Sequence, residues 1–125
     1  MHDGIHYTYE SSRHRLLKVA YVKNGKIVGI ADITDQGNIV NINQLRVQRK
    51  HRGKSYGSAL VKAVKKHAQR VKRAVYVTAH APQNEGRRTM TTPQLVKWYM
   101  QFGLRVYEEN NGYVEMAWEP KQRKK

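Results

Sequence analysis

The residues best suited to chemistry fall in one stretch, 48–69, which reads Q-R-K-H-R-G-K-S-Y-G-S-A-L-V-K-A-V-K-K-H-A-Q. Its first half is a basic loop punctuated by Gly53 and Gly57, and its second half has the apolar periodicity of a helix. The two glycines permit a tight turn in which successive backbone N–H groups point the same way. The helix that begins near Gly57 aims its positive dipole end into that turn. The result is an anion cradle, and phosphate is the anion it suits. No metal chemistry is expected beside it, because the histidines at positions 2, 6, 14, 51, 67 and 80 show neither paired helical spacing nor a carboxylate cluster. The absence of cysteine excludes disulfides, a zinc knuckle and a thiol nucleophile.

The hydrophobic pattern supplies the elements that must position this loop. Residues 39–47 alternate as a strand that runs into it, so the order is strand, phosphate loop, helix. In the helix, Leu60, Val61, Val64, Ala68 and Val71 share one face, with Lys62, Lys65, Lys66, Gln69 and Arg70 on the other. That basic face is either solvated surface or a polyanion contact. Upstream, residues 5–9 alternate as a short strand, and Asn24-Gly25 sets a two-residue hairpin turn between apolar runs at 16–22 and 26–33. With a further turn at 34–38, this predicts an antiparallel meander of three or four strands. Downstream, residues 74–79 form a buried strand, made parallel to the strand at 39–47 by the helix between them. Residues 80–90 read as a long surface loop. Thr91-Thr92-Pro93-Gln94 starts a second helix, with Leu95, Trp98, Tyr99 and Phe102 on its apolar side and Gly103 as its stop. Strands at 104–108 and 112–118, joined through Asn110-Asn111-Gly112, close the chain.

At 125 residues the chain is long enough for one core, expected over residues 1–119 with a basic tail at 120–125. Lys and Arg number 24 against 9 Asp and Glu, a net +15 that attracts nucleic acid, an anionic membrane surface or a phosphorylated small molecule. No apolar run is long enough to cross a bilayer and the first residues lack a signal-peptide core, so a cytoplasmic location is expected.

Two families place a phosphate loop between a strand and a helix. A nucleotide-hydrolysing P-loop ends as Gly53-Lys54-Ser55 does, but Gln48 stands where its first glycine belongs. Arg52-Gly53-Lys54-Ser55-Tyr56-Gly57 instead resembles the pyrophosphate loop of the GNAT family of N-acetyltransferases, Arg/Gln-x-x-Gly-x-Gly/Ala, matching at Arg52 and Gly57 and departing at Ser55. Leu95-Val96-Lys97-Trp98-Tyr99-Met100-Gln101-Phe102-Gly103-Leu104 resembles the family's other segment, an aromatic-Tyr pair followed by Gly and an apolar residue. Together they extend the resemblance over residues 27–118. It implies an α+β, three-layer fold: a mixed, mostly antiparallel twisted sheet of about six or seven strands with a central parallel pair and two main helices. The two helices that relatives usually carry after the first strand are reduced or absent, because too few residues separate 5–9 from 16–22. The acceptor site is then shallow, or completed by the 80–90 loop or by a second subunit in a homodimer. The family's asparagine ahead of the tyrosine is also missing, with Thr92 near its place.

The resemblance also implies roles. Arg52, Gly53, Lys54, Ser55, Tyr56, Gly57 and Ser58 would hold the pyrophosphate of acetyl-CoA, and the strand carrying Leu45, Arg46 and Val47 would pair with its pantetheine arm. The N–H of Val47 would polarise the thioester carbonyl, and Tyr99 would protonate the departing thiolate as general acid. Where many relatives place a glutamate base, this chain has Asn43 and Gln44. A lysine acceptor, with pKa about 10.4, would need such a base far more than an α-amino group near 7.7 to 8.0. An acceptor of low pKa, proton removal through water, or a substitute base at Glu85 or His80 would each meet that need. The implied activity is acetyl transfer from acetyl-CoA to an amine acceptor, with the charge pointing to an acceptor associated with nucleic acid. The alternative is a catalytically inactive module of the same fold that binds nucleic acid through its basic surface.

Overall fold

The computed structural model describes residues 2–11, 15–48, 55–80 and 91–120. In chain order these form β1 (Gly4–Tyr9), β2 (Leu16–Lys23), β3 (Lys26–Asp35), β4 (Ile39–Val47), α1 (Tyr56–Val71), β5 (Ala74–Ala79), α2 (Thr92–Met100), β6 (Arg105–Asn110) and β7 (Tyr113–Trp118). The seven strands make one sheet in the order β1-β2-β3-β4-β5-β7-β6. All neighbours are antiparallel except β4 and β5, the pair bridged by α1.

Local chemistry fixes the connections. Asn24 and Gly25 both take positive φ (54° and 76°), as do Asn111 and Gly112 (48° and 86°), the backbone that lets two-residue turns follow the twist of their strands. Thr91 caps α2 through a capping box: the Gln94 N–H donates to Thr91 Oγ1 at 3.3 Å and the Thr91 N–H to Gln94 Oε1 at 2.8 Å. Between β1 and β2 the Glu10 N–H donates to the Arg15 carbonyl at 2.7 Å, closing the short connection expected in place of two helices.

Both helices cover the same face of the sheet. Leu60, Val61, Val64 and Ala68 of α1 share one buried cluster with Tyr99 of α2, Phe102, and the inward residues of β2 to β5 and β7, Val19, Ile33, Val40, Val77 and Met116 among them. Lys65 ties α1 to the turn after α2 and to β7. Its ammonium donates to the Phe102 carbonyl and lies 5.1 Å from the centre of the Trp118 ring. Across the sheet no helix of the described residues packs, and Thr34, Asn43, Gln44 and Thr78 remain exposed there. On this face polar groups lie beside the buried apolar side chains of Ala20 and Val22.

At the far end of α1 a buried polar cluster ties the first half of the sheet to β5. The Asp35 side chain, fully buried, accepts Arg73 Nη1 at 2.7 and 2.8 Å and the N–H groups of Leu16 and Gly37 at 3.2 and 3.1 Å. Burial alone would raise the Asp35 pKa; the two N–H groups, Arg73 and His67 outweigh it and hold the carboxyl below its ordinary value.

Candidate active site

The parallel ladder between β4 and β5 is short. It runs from Ile39–Ala74 to Ile42–Val77 and stops, although both strands continue. On the other side, β4 stays paired with β3 as far as Val47–Gly29, with one irregularity: Asp32 pairs with Gln44 and Ile33 with Ile42, leaving Asn43 as a bulge. A bulge bends and twists the strand that carries it. Because this one falls at the last β4–β5 pair, β4 turns away from β5 from that residue on, and a cleft opens between two strands that start side by side.

α1 begins where β4 ends. A β-carbon on Gly57 would stand 3.8 Å from Val47 Cγ2 and 3.4 Å from the Trp98 ring, so the end of β4, the first turn of α1 and α2 meet at this glycine. Gly29 serves the same approach from below: a β-carbon there would lie 3.1 Å from Leu60 and 3.3 Å from the Arg46 carbonyl. The first turn of α1 carries no acidic residue and no side-chain cap. Its first N–H groups have no acceptor within the helix, so the positive end of the dipole faces the loop that precedes it.

Among the expected phosphate-loop residues, Ser55, Tyr56, Gly57 and Ser58 lie at this helix start, whereas Arg52, Gly53 and Lys54 fall outside the described residues. Ser55 is the helix N-cap with φ 68° and ψ 14°, a left-handed conformation. That conformation gives a physical reason for the glycine of the family pattern, which serine replaces here. Tyr56 is buried, its ring 4.6 Å from that of Tyr21, so its side chain supports the turn. Leu45 and Val47 are half-buried at the cleft end of β4, and Arg46 points to the face away from the helices, 3.3 Å from Asp32.

Tyr99 projects from α2 into the core, 6% exposed, with its ring 5.1 Å from that of Trp98, the residue that covers Gly57. Desolvation pushes its pKa up to about 12, and among the described residues its hydroxyl has no assigned hydrogen-bond partner. It therefore keeps its proton throughout the physiological range and has it to donate.

Where relatives carry a glutamate base, Asn43 donates to Thr34 Oγ1 at 2.6 Å and accepts from Asn41 Nδ2 at 2.7 Å, a chain of neutral groups. The expected substitutes fare differently. Glu85 lies outside the described residues. His80 stacks on Tyr113, with ring centres 4.0 Å apart, just beyond β5. Sequence reasoning missed a carboxylate close by: Thr78, the first β5 residue past the end of the ladder, donates to both oxygens of Glu115 on β7, at 2.9 and 3.0 Å. Glu115 is the only acid in its alternating strand, a signal that becomes readable once the strand order is known.

The basic face of α1 needs a correction. Lys65 is engaged by the Phe102 carbonyl and the Trp118 ring, and the Arg70 guanidinium donates to the Tyr9 hydroxyl at 2.9 Å, so this face offers less to a polyanion than periodicity alone suggests. Lys62 and Lys66 are exposed.

The sequence profile of the acetyltransferase (GNAT) family matches residues 2–91. No curated protein matches the chain significantly. Several solved structures share the fold. The PaiA N-acetyltransferase of Thermoplasma acidophilum in complex with coenzyme A aligns at a TM-score of 0.69 and 14% identity, over 87% of this chain and 64% of that one. This chain thus spans less than two thirds of that relative's length. A GNAT family acetyltransferase from Elizabethkingia anophelis with acetyl-CoA bound aligns at 0.67 and 15% identity, over 92% and 96% of the two chains. The ribosomal-protein-S18-alanine N-acetyltransferase of Escherichia coli aligns at 0.68 and 13%, over 86% and 71%. At these identities the likeness is one of fold.

Proposed function

The chain belongs to the acetyltransferase (GNAT) family, and we propose that it transfers the acetyl group of acetyl-CoA to an amine. The observation that carries this reading is the cleft where β4 bulges away from β5, opening beside an uncapped helix start. An extended chain laid in such a cleft bonds to the strand edge as an added strand, while a pyrophosphate at its end meets the N–H groups of Gly57 and Ser58. The solved relatives that hold coenzyme A or acetyl-CoA support the choice of ligand.

The bound thioester supplies an activated acetyl carbon; the chain supplies its surroundings. In this reading the N–H of Val47, at the cleft end of β4, donates to the carbonyl oxygen as charge develops on it. The neutral amine forms its C–N bond as the C–S bond breaks, Tyr99 donates its proton toward the departing sulfur, and the proton that nitrogen loses passes to water. The raised pKa of Tyr99 makes full transfer to a thiolate of ordinary basicity, near 8.5, unfavourable at first. The hydroxyl thus acts first as a hydrogen-bond donor to the developing charge, and passes its proton as the sulfur gains basicity in the same dry surroundings. The family match ends before α2, so this role rests on the burial of Tyr99 and its place beside Trp98 and Gly57.

Calorimetric titration with acetyl-CoA tests the reading. A single site of micromolar affinity is expected, and no measurable binding by the unmutated protein removes it. A second reading, association of the protein with nucleic acid, is supported by the net charge of +15 and the exposed Lys62 and Lys66. For it, log affinity for duplex DNA must fall against log salt by about 0.9 per phosphate neutralised.

A further inference from the structure

We propose that the face of the sheet opposite α1 and α2 carries, beside Thr78, a receiving site for the acceptor, built around Glu115 and selecting a primary amine in its ammonium form on a carrier that is not itself a polyanion. The inference rests on the acetyl-transfer reading and adds the class of acceptor to it.

The position comes from topology. Thr78 is the first β5 residue beyond the last pair with β4, and it points to the face away from α1 and α2. Glu115 is its register partner on β7 and accepts its hydroxyl. The carboxylate therefore stands one strand from the mouth of the cleft, on the side that no helix of the described residues covers. An acceptor approaching from that side reaches the acetyl end of the cleft without displacing the core.

The lining suits an ammonium group. Tyr107, 54% exposed on β6, meets Tyr76 edge-on at 5.5 Å between ring centres, and Tyr113, 46% exposed, lies against His80. Desolvation first, and then the neighbouring charges of Glu115, Tyr76 and Glu108, raise the pKa of the Tyr107 hydroxyl. A carboxylate with aromatic faces beside it offers a cation both a charge-assisted hydrogen bond and ring contacts, and offers an anion neither.

Charge distribution agrees. Between Arg105 and Glu119 the chain carries four glutamates and one arginine, against a strong excess of Lys and Arg elsewhere. Exposed charges farther away than about 10 Å are largely screened at ordinary ionic strength. An arriving ammonium therefore meets the local glutamates and not the net charge.

The test uses protein saturated with coenzyme A, which fills the cleft without turnover, titrated with 1,5-diaminopentane or with 5-aminopentyl phosphate. The diamine is expected to bind, the phosphate-bearing amine to bind at least tenfold more weakly, and the near-isosteric Glu115→Gln to weaken the diamine at least tenfold while leaving coenzyme A affinity within twofold. If coenzyme A itself does not bind, the acetyl-transfer reading has failed. If coenzyme A binds but the diamine does not, or the diamine binds Glu115→Gln within twofold of the unmutated protein, or the phosphate-bearing amine binds more tightly, the receiving site is overturned. Should Glu115→Gln impair folding, Tyr107→Ala on the exposed edge strand replaces it. That variant must weaken the diamine at least threefold, and an unchanged affinity likewise overturns the proposal.

Discussion

Trp98 lies across Gly57 so closely that a β-carbon at position 57 would stand 3.4 Å from its ring, with Val47 at 3.8 Å on the other side. Three elements converge there, and the space admits one methyl group at ordinary contact distance. Gly57→Ala is expected to bind acetyl-CoA within about threefold of the unmutated protein, because an ordinary van der Waals contact replaces a narrow gap. Gly57→Glu would set a carboxylate in the first turn of α1, where the pyrophosphate is expected, and should weaken binding at least 100-fold. Equal affinities for the two variants, measured by calorimetry, would remove the helix start from the cofactor site.

Tyr99 has a raised pKa of about 12 through desolvation, and Tyr99→Phe removes only its hydroxyl from a packed ring. A positioned general acid contributes about 10²–10⁴ in rate. Turnover should fall within that range while acetyl-CoA affinity stays within twofold. The pH profile of the unmutated enzyme should show no alkaline loss attributable to Tyr99 below about pH 10, since the raised pKa keeps it protonated. An unchanged rate in the variant would leave Tyr99 as a core aromatic only.

Most of the fold is legible in the chain because its punctuation is local. Asn24-Gly25, Asn111-Gly112 and the Thr91 capping box each specify their turn from side-chain chemistry alone, and alternation identifies the strands between them. The start of α1 near Gly57 is legible too, from the apolar periodicity of the helix. What periodicity does not carry is where a residue's partner comes from. Lys65 falls on the polar side of α1 by spacing, yet the Phe102 carbonyl and the Trp118 ring claim it from distant sequence. Likewise Glu115 gains its place beside the cleft only through the β5–β7 register, and Asn43 its bulge only through pairing with β3. Such relations are set by strand order, to which no single segment testifies.

Ser55 adopts φ 68° at the start of α1 without making a side-chain cap bond. A left-handed conformation costs an L-residue about 1–2 kcal/mol, whereas a glycine loses about 0.5–1 kcal/mol of chain entropy on folding. The first term is the larger, so Ser55→Gly should stabilise the protein by about 0.5–1 kcal/mol. Urea denaturation reads this as a higher midpoint at unchanged slope. A lower midpoint would mean that the serine hydroxyl contributes something its cap position does not explain.

His67 is 2% exposed, with Nε2 3.5 Å from Asp35 Oδ2, too far for a hydrogen bond, and Nδ1 3.4 Å from the Tyr9 hydroxyl. Desolvation lowers its pKa against the opposing pull of Asp35, with Arg70 and Arg73 adding to the decrease. A histidine whose folded pKa lies below its unfolded value near 6.5 takes up its proton more readily when unfolded, so its contribution is complete above about pH 6.5 and fades as pH falls below it. Asp35, also depressed, adds a second loss that begins near its unfolded value of about 3.9 and continues through its lower folded pKa. Both effects have the same sign, and denaturation midpoints should fall in two stages on acidification. His67→Gln should flatten the first stage and leave the second. Asp35→Asn, which strands the buried end of Arg73, should cost about 3–5 kcal/mol at neutral pH. A single stage that survives His67→Gln unchanged would show that His67 titrates in the folded protein as it does in the unfolded chain.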